Sequence, residues 1–323
     1  TGAPGWDIDT ITVSGITTFS YDHGIDLPTF RAGSGGNIIT INNTLPMAFA
    51  FPPINELYCG SGSDVVNVNA TSSILNVRLQ EGNDVFTFST NGASLSTGFL
   101  DGGTGTNELK YTGYTSPVTV DLSAGTATGT GMISLIQKVT GGSGNDTVFS
   151  ASDTETINGE AGQDTVHVNS SAAMLSVDLG ADDDLFVFGD GASIGGSLSG
   201  GANTDTLSYL AYTAPVSVNL TTGTATGIGG GISLVENVTG GSGADTIVDN
   251  AQANVIRGGP GNDMITSQGG PSPGDFLYGD EGDDVFDTVL PSSSQFITVD
   301  GGAGAGDKLI FVQPATTTGP GDG

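Results

Sequence analysis

The chain has 323 residues, of which 54 are glycine, 35 are acidic and only 6 are basic, for a formal net charge of −29. So acidic a chain lacks the clustered Lys and Arg that phosphate contacts require, which excludes nucleic acid as a partner and disfavours an anionic membrane surface. The one cysteine, Cys59, excludes an intramolecular disulfide framework, and no apolar run reaches the roughly 18 residues of a membrane-spanning helix, so no membrane insertion is expected.

Residues 1–31 match the rest of the chain poorly. Within them ITVSGITTF (11–19) partly alternates apolar and polar residues and predicts a strand. The segment is expected to cap the end of a repeat stack, or to act as a donor-strand arm that pairs with a neighbour. An open end would expose core and unpaired backbone. His23 lies here, in YDHG, and reads as a turn residue.

From residue 32 onward one nine-residue unit recurs in degenerate copies: AGSGGNIIT (32), CGSGSDVVN (59), LQEGNDVFT (79), GGTGTNELK (102), GGSGNDTVF (141), GEAGQDTVH (159), LGADDDLFV (179), GGANTDTLS (200), GGSGADTIV (240), GGPGNDMIT (258), GDEGDDVFD (279) and GGAGAGDKL (301). In the clearest copies, at 141, 240 and 258, glycines stand at positions one, two and four, aspartate at six and an apolar residue at eight. Glycine permits backbone angles that other residues resist. A backbone bent this way turns carbonyl oxygens inward, and the sixth-position aspartate adds a carboxylate. A set of oxygens without nitrogen or sulfur suits a hard cation such as calcium. The eighth residue then opens a strand whose side chain enters a core: Val66, Phe86, Leu109, Val148, Val166, Phe186, Leu207, Ile247, Ile265 and Phe286.

Steps of about 20 residues between copies read as one coil. Steps of about 40 read as two coils, one without an acidic turn. Exact tandem spacing of nine is absent, so the loaded turns are expected along one edge of the solenoid. A longer period is superimposed: residues 59–158 and 159–257 are copies, with a partial third at 258–312. YTGYTSPVTVDLSAGTATG (111–129) aligns with YLAYTAPVSVNLTTGTATG (209–227), and ISLIQKVTGGSGND (133–146) with ISLVENVTGGSGAD (232–245). Val, Ile, Thr and Phe dominate between turns, which predicts strands and no helices. The expected organisation is therefore a 1–31 cap or arm, a 32–312 all-β solenoid and a 313–323 tail. The start at Thr1 suggests a processed product or a segment of a longer protein.

These linked motifs closely resemble the haemolysin-type, RTX-like calcium-binding repeats of bacterial extracellular proteins. The resemblance covers roughly 59–312. It implies a parallel β-helix or β-roll with calcium held between successive turns. Carried over by position, it implies the ligands Asp64, Asp84, Asp146, Asp164, Asp184, Asp205, Asp245, Asp263 and Asp284, flanked by Asn145, Asn262 and Asp283. Asn37 and Asn107 replace the aspartate in their copies, and an extra glycine shifts Asp307. Carboxylates stacked about 4.8 Å apart repel by roughly 0.9 kcal/mol per pair in water. Several bound calcium ions would reverse that sign.

Catalysis finds little support in the residues. His167 follows a turn where the other copy has Asn67, and reads as a surface residue. No G-x-S-x-G elbow is present, and the six basic residues are scattered singly. The expected role is a non-enzymatic structural protein of the cell exterior: a filament, surface-layer or adhesin segment that associates with itself end to end. A glycan or surface ligand is a further candidate partner. The alternative is a calcium-dependent secretion and folding module of a larger exoenzyme.

Overall fold

The computed structural model describes residues 11–14, 29–42, 56–70, 74–269, 274–289 and 297–312. Every regular element among them is a β-strand, as the β-branched composition dictates. The chain forms two compact units, one of residues 1–166 with 174–181 and one of residues 167–173 with 182–323. His23, the tail at 313–323 and most of the 1–31 segment lie outside the described residues.

In the first unit two parallel sheets are built rung by rung. One stacks Thr29–Arg31, Glu56–Tyr58, Asn76–Arg78, Phe99–Asp101 and Met132–Ser134. The other stacks Ile38–Ile41, Val65–Val68, Val85–Phe88, Glu108–Lys110, Lys138–Thr140, Thr156–Asn158 and Ser176–Ala181. Residues 29–31 thus belong to the first coil. Strand Ile11–Ser14 lies antiparallel on Ile38–Ile41, at the start of the second sheet. In-register pairing places Ile39, Val66, Phe86, Leu109, Val139, Ile157 and Val177 in one row, all buried. Each strand alternates, so one face fills the core and the other meets solvent.

The second unit repeats the plan. Leu185–Phe188, Thr206–Ser208, Asn237–Thr239, Val255–Pro260, Phe276–Glu281 and Thr298–Asp300 form one parallel stack. Ser217–Asn219, Thr246–Val248, Met264–Ser267, Val285–Val289 and Lys308–Val312 form another. All ten eighth-position residues named above are buried.

The long steps have a different structure from the one expected. Lys138–Thr140 sits one rung above Glu108–Lys110, so residues 108–138 make one long coil rather than two short ones. The extra length forms a hairpin, Thr119–Asp121 against Thr126–Ala127, whose first strand founds a third sheet under Thr147–Phe149. Phe88, Tyr111 and Tyr114 pack as a ring cluster inside it, with centroids 5.2–6.0 Å apart. The Tyr111 hydroxyl donates to the Thr128 carbonyl at 2.7 Å, and that of Tyr114 donates to Ala93. The second unit has the same device in Phe188, Tyr209 and Tyr212, with Tyr209 donating to Thr226 at 2.6 Å.

The long coil also relocates the acidic turns. In the second sheet of unit one the turn precedes Val65–Val68, Val85–Phe88 and Glu108–Lys110, but it follows Lys138–Thr140 and Thr156–Asn158. In unit two the turn precedes Thr206–Ser208 and follows Asn237–Thr239. The turns therefore stack along one edge within a run, and each long coil hands the run to the other end of the same strands.

Candidate metal centre

Most of the turns owe their shape to left-handed residues at their second and fourth positions, the copies at 141 and 240 being exceptions. Gly60 and Gly62 have φ of 97° and 109°; Gln80 and Gly82 have 77° and 149°. A methyl group on Gly82 would fall on the Gly62 carbonyl of the rung below, so the fourth position needs glycine for its conformation and for the close approach.

On this backbone the sixth-position side chains form columns linked by one recurring bond: the backbone N–H of each residue donates to a side-chain oxygen one rung on. In unit one, Asn37 N–H donates to Asp64 Oδ1 (2.6 Å), Asp64 to Asp84 (2.7 Å), Asp84 to Asn107 (3.1 Å) and Asn107 to Gln137 Oε1 (2.9 Å). Beyond the long coil a new column begins, with Val118 N–H on Asp146 Oδ1 (2.8 Å) and Asp146 N–H on Asp164 Oδ1 (2.7 Å). In unit two, Asp184 donates to Asp205 and Asp205 to Glu236 Oε2, both at 2.9 Å. The last column runs Val216, Asp245, Asp263, Asp284 and Asp307 at 2.7–3.0 Å.

Asn37 shows what the second side-chain atom meets. Its Nδ2 donates toward four oxygens: the carbonyls of Gly33 (3.1 Å), Gly35 (2.7 Å) and Cys59 (3.0 Å), and Asp64 Oδ1 (2.8 Å). A positively polarised group belongs at this place. At Asp64, Asp84, Asp205, Asp263 and Asp284 the corresponding atom is Oδ2, which is buried and has no hydrogen-bond donor. Burial drives these carboxyls up, to about 6 for Asp84 and about 7 for Asp205 and Asp263, against the lowering effect of the backbone N–H each accepts; neighbouring carboxylates push them further. Asp64 and Asp284 are raised for the same first reason. A buried oxygen facing oxygens costs folding energy unless a cation joins them. No three His, Cys, Asp or Glu side chains converge among the described residues, so a cation here is completed by backbone carbonyls. That donor set, all oxygen, fits calcium.

The other expected residues are placed differently. Asp146 and Asp245 lie in the cleanest copies, yet both their oxygens accept protein donors: Val118 and Gly142 N–H for Asp146, Val216 and Gly241 N–H for Asp245. They found their columns. Asn145, Asn262 and Asp283 sit on the exposed outside of the turns and accept backbone N–H groups of the next rung: Gln163 (3.1 Å), Asp283 (2.9 Å) and Gly306 (2.9 Å). The structure does not bring them to the buried oxygens. His167 is half-buried, and burial lowers its pKa. Cys59 is buried, which pushes its thiol up.

The sequence pattern of the RTX calcium-binding nonapeptide repeat matches residues 138–166, 239–271 and 274–288. The chain carries RTX calcium-binding nonapeptide repeats of the haemolysin type. RTX repeats bind calcium, and the buried aspartate columns provide for several ions. No curated protein matches the chain.

The second of these RTX segments also corrects the spacing. Copies at 240 and 258 enclose a further nonapeptide, 249–257, with Asn254 at its sixth position and Ile256 at its eighth, both buried. Asn254 N–H donates to Asp275 Oδ1 at 3.2 Å, the same rung-to-rung bond on the opposite edge. Sequence reading missed Asn254 and Asp275 because the copy at 249 has asparagine rather than aspartate at its sixth position. It missed Gln137 and Glu236 because the registers in which they stand sixth, 132–140 and 231–239, lack the aspartate of the pattern and carry at most its first glycine, Gly231. Their equivalence in ISLIQK and ISLVEN was the available signal.

Proposed function

We propose that the protein is a non-enzymatic structural element of the cell exterior, a solenoid that calcium makes rigid. The observation that carries this is the buried, donor-less Oδ2 on successive rungs of each unit. Such a chain is strained at cytosolic calcium and relieved at the millimolar calcium outside a cell. RTX repeats are typical of secreted bacterial proteins. An extracellular module binding at the tight end of its range, about 10⁻⁴ M, gains roughly 1.4 kcal/mol per site at millimolar calcium. Several sites together rival the stability of an ordinary domain.

End-to-end self-association fits the last described strand, Lys308–Val312. Leu309, Ile310 and Phe311 are 45–56% exposed there, although Leu309 pairs in register with the buried Phe286. A second copy stacked on this rung would continue the sheet. Circular dichroism and thermal melts in calcium and in chelator test the first part: an unchanged melting temperature would remove it. Electron microscopy in millimolar calcium tests the second, with Phe311→Lys expected to abolish any filaments. A strictly monomeric wild-type chain would reject filament and surface-layer roles.

The same carboxylates support a second reading, a module that stays unfolded until a larger secreted enzyme has left the cell. A full-length gene encoding a hydrolase upstream would favour it.

A further inference from the structure

The outward face of the first parallel sheet of unit one carries a groove that the acidic columns do not use. Side chains alternate along Phe99–Asp101 and Met132–Ser134, so Leu100 and Ile133 enter the core while Phe99, Asp101, Met132 and Ser134 face out. Met132 pairs in register with Phe99, Ser134 with Asp101, and Asp101 with Arg78 of the rung before. These residues line a groove of about 280 Å³. Its walls are held in place. The Arg78 guanidinium lies 5.0 Å from the ring centroid of Tyr58 and 4.5 Å from that of Phe99. Its Nη1 donates to the Tyr58 hydroxyl at 3.1 Å and pairs with Glu56. Opposite, Ser134 Oγ donates to Asp101 Oδ1 at 3.0 Å. Met132 is 63% exposed.

The internal duplication supplies a control. ISL at 133–135 aligns with ISL at 232–234, and Ile232 pairs with Leu198 as Ile133 pairs with Leu100. The second copy thus keeps the core pair, and Ser233 stands where the first has Ser134. The other outward positions all change: Ser197 stands for Phe99, Ser199 for Asp101 and Gly231 for Met132, and NVRLQ (76–80) against SVDLG (176–180) puts Asp178 for Arg78. A coil of this design therefore folds without the groove side chains. The architecture does not call for an aromatic ring and an exposed thioether here, and apolar surface set between an arginine and an aspartate is the composition of a ligand site.

We infer that this groove binds a neutral saccharide unit of an extracellular glycan. A pyranose ring is apolar on its C–H face and carries hydroxyls around its rim. Phe99 and Met132 supply apolar surface for the face. Asp101 accepts from hydroxyls at the rim, and the Arg78 N–H groups beyond Nη1 donate to them. Charge decides between neutral and acidic sugars. Arg78 is balanced by Glu56 and stands beside Asp101, and the whole chain carries −29, so an acidic sugar gains no net attraction. The volume lies at the small end of ligand sites and suits one or two rings, not a strand or helix of a protein partner. The site is independent of the acidic columns, and the changes in the second copy leave one such site per duplicated pair.

Isothermal titration of the full chain in saturating calcium tests this, with neutral oligosaccharides of glucose, mannose, galactose and N-acetylglucosamine as probes and an oligogalacturonate as the acidic comparison. At least one neutral probe should bind, at one site per chain. Phe99→Ser and Asp101→Ser, each the residue that the second copy carries, should weaken that binding by about tenfold or more and leave the circular dichroism spectrum unchanged. Should one variant fail to fold, the other still decides. Full binding by a folded variant would put the ligand elsewhere and overturn the inference. Binding of the oligogalacturonate alone, or of no probe, would overturn it as well, and neither result bears on the calcium columns.

Discussion

Asp84 Oδ1 accepts the backbone N–H of Asp64 at 2.7 Å, while Oδ2 of the same buried carboxylate meets no donor. One half of the side chain ties two rungs together and the other half leaves them in need of a cation. Stability and calcium dependence thus reside in one functional group.

Asp84→Asn keeps the Oδ1 acceptor and supplies an amide of the kind seen at Asn37. The variant should gain about 1–3 kcal/mol in chelator, the usual cost of a buried unsatisfied polar group. It should gain less than the wild type on adding calcium. Denaturant titrations in both conditions check this, and equal calcium gains for the two proteins would contradict it.

Gly82→Ala should destabilise by more than about 1 kcal/mol with or without calcium, because φ of 149° and the Gly62 carbonyl both exclude a side chain. A loss seen only in calcium would show that the turn forms around the ion.

Tyr111→Phe leaves the ring cluster in place and strands the Thr128 carbonyl. A loss of about 1–3 kcal/mol is expected from that carbonyl. Tyr209→Phe, which strands Thr226, should match it. Thermal melts of the two variants and their double mutant give the comparison.

Asp249 gives a pH dependence separate from the columns. Burial and the Asp275 carboxyl beside it raise Asp249 to about 7, against the lowering contributions of Gln268 N–H and Ser267. A carboxyl raised on folding stabilises most below its unfolded value, near 4. That contribution is lost as pH rises through about 7. In saturating calcium the melting temperature should therefore fall between pH 5 and 8, and Asp249→Asn should flatten part of the fall.

How much of this was written in the chain is visible at particular residues. Val66, Phe86 and Phe286 declared themselves as core by following a turn at a fixed offset, and all three are buried. Strand content and the parallel stack followed from the same period. Asp64, Asp84, Asp205, Asp263 and Asp284 declared themselves by position six. In the cleanest copies Asp146 and Asp245 accept one N–H from their own turn and one from the rung before, a pairing that position six alone does not show.

Local pattern alone determined the turn, the strand after it and the inward side chain, since each depends on backbone angles and alternation within nine residues. Tertiary structure alone decided which edge each run of turns occupies and what closes each column. Those depend on where a long coil re-enters the stack. Glu236 meets Asp205 across 31 residues of chain, and only the folded hairpin and its tyrosines bring them together.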